Sequence, residues 1–270
     1  MIDTTVFDRV AAGYDSTFTH TSLGRLVRRR VWRLLTPRLR PRQRVLELAC
    51  GTGEDALWLA RQGVQVVATD GAAEMVRLAR QKVRQAELEE RVQVHHCSLQ
   101  QLVAGPPSWA TDLDGVFSNF GGLNTINEWG PLAQALAGQV QQGGWALLVV
   151  MGPVCPWEIG WHLLHGQIRR AGRRLRQPAQ ARVGGQTIPI WYPSPRQLAR
   201  AFMPWFRAEQ TWSLGLWLPP TYLGHLIEGR PRLAATLSQI EQATAPFTAG
   251  WGDHYILLLR RTKEAQWSRS

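Results

Sequence analysis

The chain has 270 residues, 44% hydrophobic and 19% charged, which fits one large α/β domain, or a domain with one sizeable insertion, and excludes a disordered or collagen-like chain. Its three cysteines, Cys50, Cys97 and Cys155, are odd in number and far apart, which excludes a disulfide scaffold and offers no zinc-ligand spacing. The formal net charge is +11, almost all of it arginine, and two acid-free windows, 25–44 with nine arginines and 169–182 with six, hold more than that total between them.

The N-terminus is polar and acidic, and the longest apolar run, 145–151, is far shorter than a membrane span, so a cytoplasmic protein is expected. Residues 22–35 carry Leu23, Leu26, Val27, Val31, Leu34 and Leu35 at helical spacing with arginines between them, and Pro37 and Pro41 stop that helix. From residue 44 strands and helices alternate. Strands are expected at 44–48, 64–69, 92–95, 113–118 and 145–151, with helices at 54–61, 72–89, 99–103 and 131–141. The alternation predicts an α/β fold with a doubly wound, mostly parallel sheet. After residue 151 the pattern predicts a helix over 157–175, a hairpin over 182–191 around Gly184 and Gly185, and a helix over 194–202. A strand near 207–216, a helix near 222–243 and a last strand at 254–260 follow.

The strongest local signal is the run from Val45 to Asp55, a strand that enters a glycine loop and then a helix. The next strand ends in Asp70, where a carboxylate can take the two hydroxyls of a ribose. Gly51, Gly53 and Ala56 formally satisfy a dinucleotide fingerprint. Glu47, Glu54 and Asp55 crowd the same helix start, where they would repel a diphosphate. They suit a phosphate-free nucleoside that carries positive charge, such as S-adenosyl-L-methionine with its sulfonium and ammonium.

The stretch 47–53 (ELACGTG) resembles motif I of the class I S-adenosylmethionine-dependent methyltransferases. Residues 7–15 resemble the N-terminal segment of the quinone-biosynthesis-like, small-molecule branch. Asp70 with Gly71 and Met75 resembles motif II, and 114–124 resembles motif IV. The resemblance implies a Rossmann-like, seven-stranded sheet with an antiparallel last strand and a helical and hairpin substrate cap inserted after strand five. Its implied divisions are an N-terminal helical segment (1–43) over the cofactor, a binding core (44–151), the cap (152–193), a C-terminal completion (194–262) and a tail (263–270).

Carried over residue by residue, the resemblance implies that Glu47, Gly51 and Gly53 line the methionine part of S-adenosyl-L-methionine, with Ala49 among the cofactor-binding residues. It implies that Asp70 holds the ribose, Gly71 and Met75 pack on adenine, and Ser98 and Leu99 flank it. Tyr14 approaches the cofactor, and Asn119 and Phe120 sit under the sulfonium. Many relatives have an acid where Ser98 stands.

No motif names a general base or a metal site. Topology puts residues after strand five, and the start of an antiparallel last strand, at the carboxyl ends of the parallel strands, which makes His162 and His254 the catalytic candidates. The expected activity is methyl transfer to a small organic molecule. The alternatives are an RNA methyltransferase using the arginine windows and a non-catalytic S-adenosylmethionine-binding assembly protein. A further expectation sets helix 22–35 on an anionic membrane, with nucleic acid the less favoured partner.

Overall fold

Two strands and one helix suffice to see why the chain winds as it does. β1 (Arg44–Leu48) and β2 (Gln65–Asp70) lie side by side and parallel, so the chain must cross between them, and α3 (Glu54–Arg61) is that crossing. The computed structural model describes residues 4–105 and 107–262. The expected tail 263–270, with Lys263, and residues 1–3 of the N-terminal segment lie outside the described residues. Upstream of β1 are α1 (Asp8–Tyr14) and α2 (Ser22–Leu35). After β2 come α4 (Ala73–Gln85), β3 (Val92–His96), α5 (Leu99–Ala104), β4 (Leu113–Ser118), α6 (Trp129–Ala137) and β5 (Val140–Met151). Then follow α7 (Pro156–Leu164), α8 (Ile168–Ala171), the hairpin β6 (Ala179–Val183) and β7 (Gln186–Ile190), α9 (Pro195–Phe202), β8 (Phe206–Leu214), α10 (Pro231–Thr244) and β9 (His254–Arg261).

Seven strands form one sheet in the order β3-β2-β1-β4-β5-β9-β8. β1 to β5 pair in parallel, and β9 runs antiparallel to both β5 and β8. This is the expected mostly parallel sheet with an antiparallel last strand. Successive strand residues feed opposite faces. Val45, Phe117, Leu147 and Ile256 pack under α2, α3 and α4. Leu46, Val116, Leu148 and Leu257 pack under α5, α6 and α9. Both faces are covered, so the central strands read as apolar runs. The chain turns from one direction of winding to the other between β1 and β4, which opens a crevice at their carboxyl ends.

The structure corrects several boundaries. The helix expected over 157–175 breaks at Gly166, which takes φ +68, and continues only as α8 and a 3₁₀ turn at Arg173–Leu175. The helix expected near 222–243 is a 3₁₀ turn at Thr221–Leu226 and then α10, because Pro231 keeps Arg230 out of the helical region. The helix expected over 72–89 ends at Gln85. That expected over 131–141 ends at Ala137, since Val140 already pairs with Leu113. The hairpin begins at Ala179 and not at Arg182.

The expectation that α2 rests on a membrane finds no support in its packing. Its apolar stripe, Leu23, Val27, Val31 and Leu35, is buried in the core of the protein. A row of arginines, Arg25, Arg29 and Arg33, stays exposed at a spacing of four. Arg28 is buried with the stripe, and in the second arginine window Arg174 is buried too, so neither is a solvated surface charge.

Candidate active site

The crevice at the carboxyl ends of β1, β2 and β4 holds a cavity of about 300 Å³. Its floor follows from backbone that ordinary residues adopt rarely. Ala49 takes φ +52 where β1 ends, Gly51 takes φ +55 and Gly53 takes φ +81. At Gly53 a Cβ would come within 3.0 Å of the Ala79 Cβ, so glycine is what lets the loop and α4 approach. Phe120, at φ +49, and Gly121, at φ +85, make the matching turn after β4.

Ten of the residues expected from sequence line this cavity: Tyr14, Ala49, Gly51, Asp70, Gly71, Met75, Ser98, Leu99, Asn119 and Phe120. Glu47 and Gly53 are not in the lining. Glu47 is buried in β1, and Gly53 is packed against α4. Asp70 Oδ2 accepts the Gly51 amide at 2.8 Å and Oδ1 the Ala72 amide at 2.9 Å. Each carboxylate oxygen has two lone-pair directions, so each keeps one acceptor site. Burial raises the Asp70 carboxyl above its ordinary value, while the two amides work to lower it. The Ser98 hydroxyl accepts the Gln101 amide as a helix cap, which leaves its O–H to donate.

The acids counted from sequence are not all free. Asp55 accepts from Arg28, from Trp32 Nε1 at 2.6 Å and from Asn119 Nδ2 at 3.0 Å. Lys82 pairs with Asp15 at 2.6 Å and lies 3.5 Å from Glu54. The Thr52 hydroxyl donates to Asp15 at 2.7 Å, tying the N-terminal segment to the glycine loop. Glu47 differs: it is 1% exposed, and its Oε2 is buried with no partner among the described residues. Burial, reinforced by Asp55, pushes its carboxyl well above the ordinary range. Tyr14 is pushed up to about 12, chiefly by burial, so it keeps its proton. The Cys50 thiol is raised well above its usual value by burial and by Glu47, as a small apolar packing residue would be.

Sequence reasoning missed two groups. Arg28 lines the cavity from α2, lies 4.9 Å from the Phe120 ring centroid, and gives only one guanidinium nitrogen, Nη1, to Asp55. Its Nε is buried without a partner among the described residues. The signal was an arginine inside the apolar stripe, four residues after Gly24 and three before Val31. The hairpin was seen, but not that Ala181, Val183, Ile190 and Tyr192 form an apolar wall of the same cavity.

The two histidine candidates lie outside the lining. His162 Nδ1 is 2.9 Å from Gln167 Oε1. His254 holds Asp253 at 3.0 Å and meets Phe120 edge-on at 5.8 Å. It opens on a second cleft of about 20 Å³, which Phe120 separates from the main cavity by lining both. Asp253 also accepts from Arg174 at 2.6 Å, and Arg174 is paired in turn with buried Glu158 at 2.8 Å.

The whole arrangement fits a nucleoside joined to an amino acid. The cavity offers a ribose-type acid at Asp70 and a cation with free donors at Arg28, and Glu47, whose buried Oε2 has no partner among the described residues, lies in β1 outside the lining.

Residues 45–144 match the family model described as a methyltransferase domain. The chain is 32% identical over 124 residues to a demethylmenaquinone methyltransferase of Clavibacter sepedonicus, covering 45% of this chain and 46% of that protein. It is 28% identical over 139 residues to a 23S rRNA (uracil(1939)-C(5))-methyltransferase of Azoarcus sp., covering 52% of this chain and 27% of that protein. It therefore spans less than half the length of these curated relatives. Its fold matches a solved S-adenosylmethionine-dependent methyltransferase of Mesorhizobium loti with a TM-score of 0.54 at 17% identity, over 85% of this chain and 97% of that one.

Proposed function

We propose that this protein, whose residues 45–144 match a methyltransferase-domain family model, is a class I S-adenosylmethionine-dependent methyltransferase that methylates a small organic molecule. The observation that carries the proposal is the cavity. One part is polar and glycine-turned, at Gly51 and Asp70, and another is the apolar wall of Met151, Val183 and Ile190, with Asn119 and Phe120 in the same lining. A volume of about 300 Å³ suits a nucleoside cofactor and a compact acceptor, not a polymer drawn inside.

In this reading Asp70 would hold the ribose, Met75 and Leu99 would flank adenine, and Arg28 would take the carboxylate of the amino acid. Glu47 would face its ammonium. Bound there, the cofactor supplies an electrophilic methyl group on sulfur. The chain's part is to hold the acceptor in line with that methyl and to exclude water. Phe120 and Tyr14 wall the reacting region, and segment 152–193 would act as the cap that selects the acceptor. A hydroxyl or ammonium acceptor must lose a proton. His254, oriented by Asp253, would receive it once the Phe120 ring turns aside. The predicted outcome for His254→Ala is slower turnover with unchanged cofactor affinity, read by steady-state kinetics beside calorimetry.

A second reading, methylation of RNA across the exposed arginines, is favoured by the match to the rRNA enzyme. Radiolabelled methyl transfer to a small-molecule extract and to total RNA separates the two. Label in the small-molecule fraction supports the proposal, and label confined to RNA overturns it. A protein that only binds S-adenosylmethionine for assembly labels neither. No described helix is long and apolar enough to cross a membrane, and a cytoplasmic location is part of the proposal.

A further inference from the structure

From residue 159 to residue 208 the chain has nine arginines and no acid. Within that stretch the turn from α7 to α8 points large aliphatic side chains outward. Leu164 is 86% exposed, Ile168 74% and Leu175 68%. Arg169, Arg170 and Arg176 stand exposed among them. The acid of α7, Glu158, is buried and taken by Arg173 and Arg174. No acidic side chain pairs with Arg169, Arg170 or Arg176 among the described residues. At the base of the ridge, half-buried Trp161 packs on His165 at 4.4 Å.

An aliphatic ridge flanked by unpaired arginines, with an indole at its base, has the composition of a surface element that lies in a lipid interface. We propose that the α7–α8 turn docks on an anionic lipid bilayer, with Leu164 and Ile168 entering the acyl boundary and Arg169, Arg170 and Arg176 on lipid phosphates. Charge decides against the other occupants. A second copy would bring one acid-free arginine face against another. Nucleic acid would engage the arginines and leave the leucines in water. α2, by contrast, has no exposed apolar side chain, because its stripe fills the core. The segment that carries the ridge also supplies the β6–β7 wall, so docking would hold the cavity beside the bilayer.

Sedimentation with vesicles tests this, comparing pure phosphatidylcholine with vesicles in which roughly a third of the lipid is phosphatidylglycerol. The wild type is expected to pellet with the anionic vesicles only. L164E/I168E should cut the bound fraction more than tenfold, and R169E/R170E should do likewise, with melting temperatures unchanged because all four side chains are exposed. Wild-type protein that stays in the supernatant with anionic vesicles overturns the proposal, as does a double leucine–isoleucine variant that pellets normally. So does a wild-type dimer that L164E/I168E dissolves in analytical ultracentrifugation, which would give the ridge to a second copy. So does a short single-stranded RNA that binds the wild type and L164E/I168E alike but not R169E/R170E.

Discussion

A buried carboxyl with no partner is costly unless it keeps its proton or meets a cation. Glu47 is such a group: β1 buries it, and nothing among the described residues hydrogen-bonds its Oε2. Arg28 is its opposite, a buried guanidinium whose one Asp55 contact leaves other donors free. In the proposed reading an amino acid headgroup, ammonium and carboxylate together, would satisfy both. The prediction is specific to that headgroup. Arg28→Met should lower affinity for S-adenosylhomocysteine at least tenfold yet leave 5′-methylthioadenosine, which lacks the headgroup, bound as before. Equal losses for both compounds would make Arg28 a packing residue. Much of the candidate site was legible at this scale, because local spacing marks Gly51 and Asp70, which line the cavity, and Gly53, which packs on α4. Arg28 was not, because its partner Asp55 lies 27 residues away and its meaning depends on which side of α2 faces in.

Among the elements, the N-terminal segment is held to the glycine loop by few contacts. Lys82 on α4 reaches Asp15 at 2.6 Å, and Asp15 takes the Thr52 hydroxyl. Thr4 donates to the Gly71 carbonyl at 2.7 Å, so the same segment covers both ends of the crevice floor. A half-buried pair of this kind is worth about 1 kcal/mol, or roughly fivefold in a rate. Lys82→Met should therefore speed dissociation of S-adenosylhomocysteine by about that factor and raise amide exchange in residues 8–19. An unchanged off-rate with raised exchange would mean that the segment covers the cavity without gating it. The elements most legible in the chain were the core strands, whose apolar runs survive burial on both sides. The helices after residue 151 were misread because periodicity continues through Gly166 and across Gly229 to Pro231, where backbone geometry forbids a helix.

For the whole molecule, the inserted segment is tied to the last strand by buried charge. Glu158 takes Arg173 and Arg174, and Arg174 bridges to Asp253, which also holds His254. Burial alone would raise the Asp253 carboxyl, but His254 and Arg174 hold it far below the ordinary range. Burial likewise opposes the Glu158 charge, and Arg173 and Arg174 still keep it low. Carboxyls depressed in the fold contribute stability above their unfolded values, and that stability is lost as pH falls through the folded ones. The melting temperature should accordingly hold from neutrality to about pH 5 and fall steeply below about pH 4. Glu158→Gln should cost about 3 kcal/mol at neutral pH, because it leaves buried arginines short of a partner, and should flatten the acid limb. An acid limb parallel to that of the wild type would place the acid-sensitive charges elsewhere.

The central claim is that the crevice between β1, β2 and β4 receives a sulfonium nucleoside. Isothermal titration of S-adenosylhomocysteine into the wild type and Asp70→Ala tests it most directly. Saturable binding at one site, weakened more than tenfold by the substitution, is the expected outcome. No binding to the wild type, equal affinity in the two proteins, or displacement by a nicotinamide dinucleotide would contradict it.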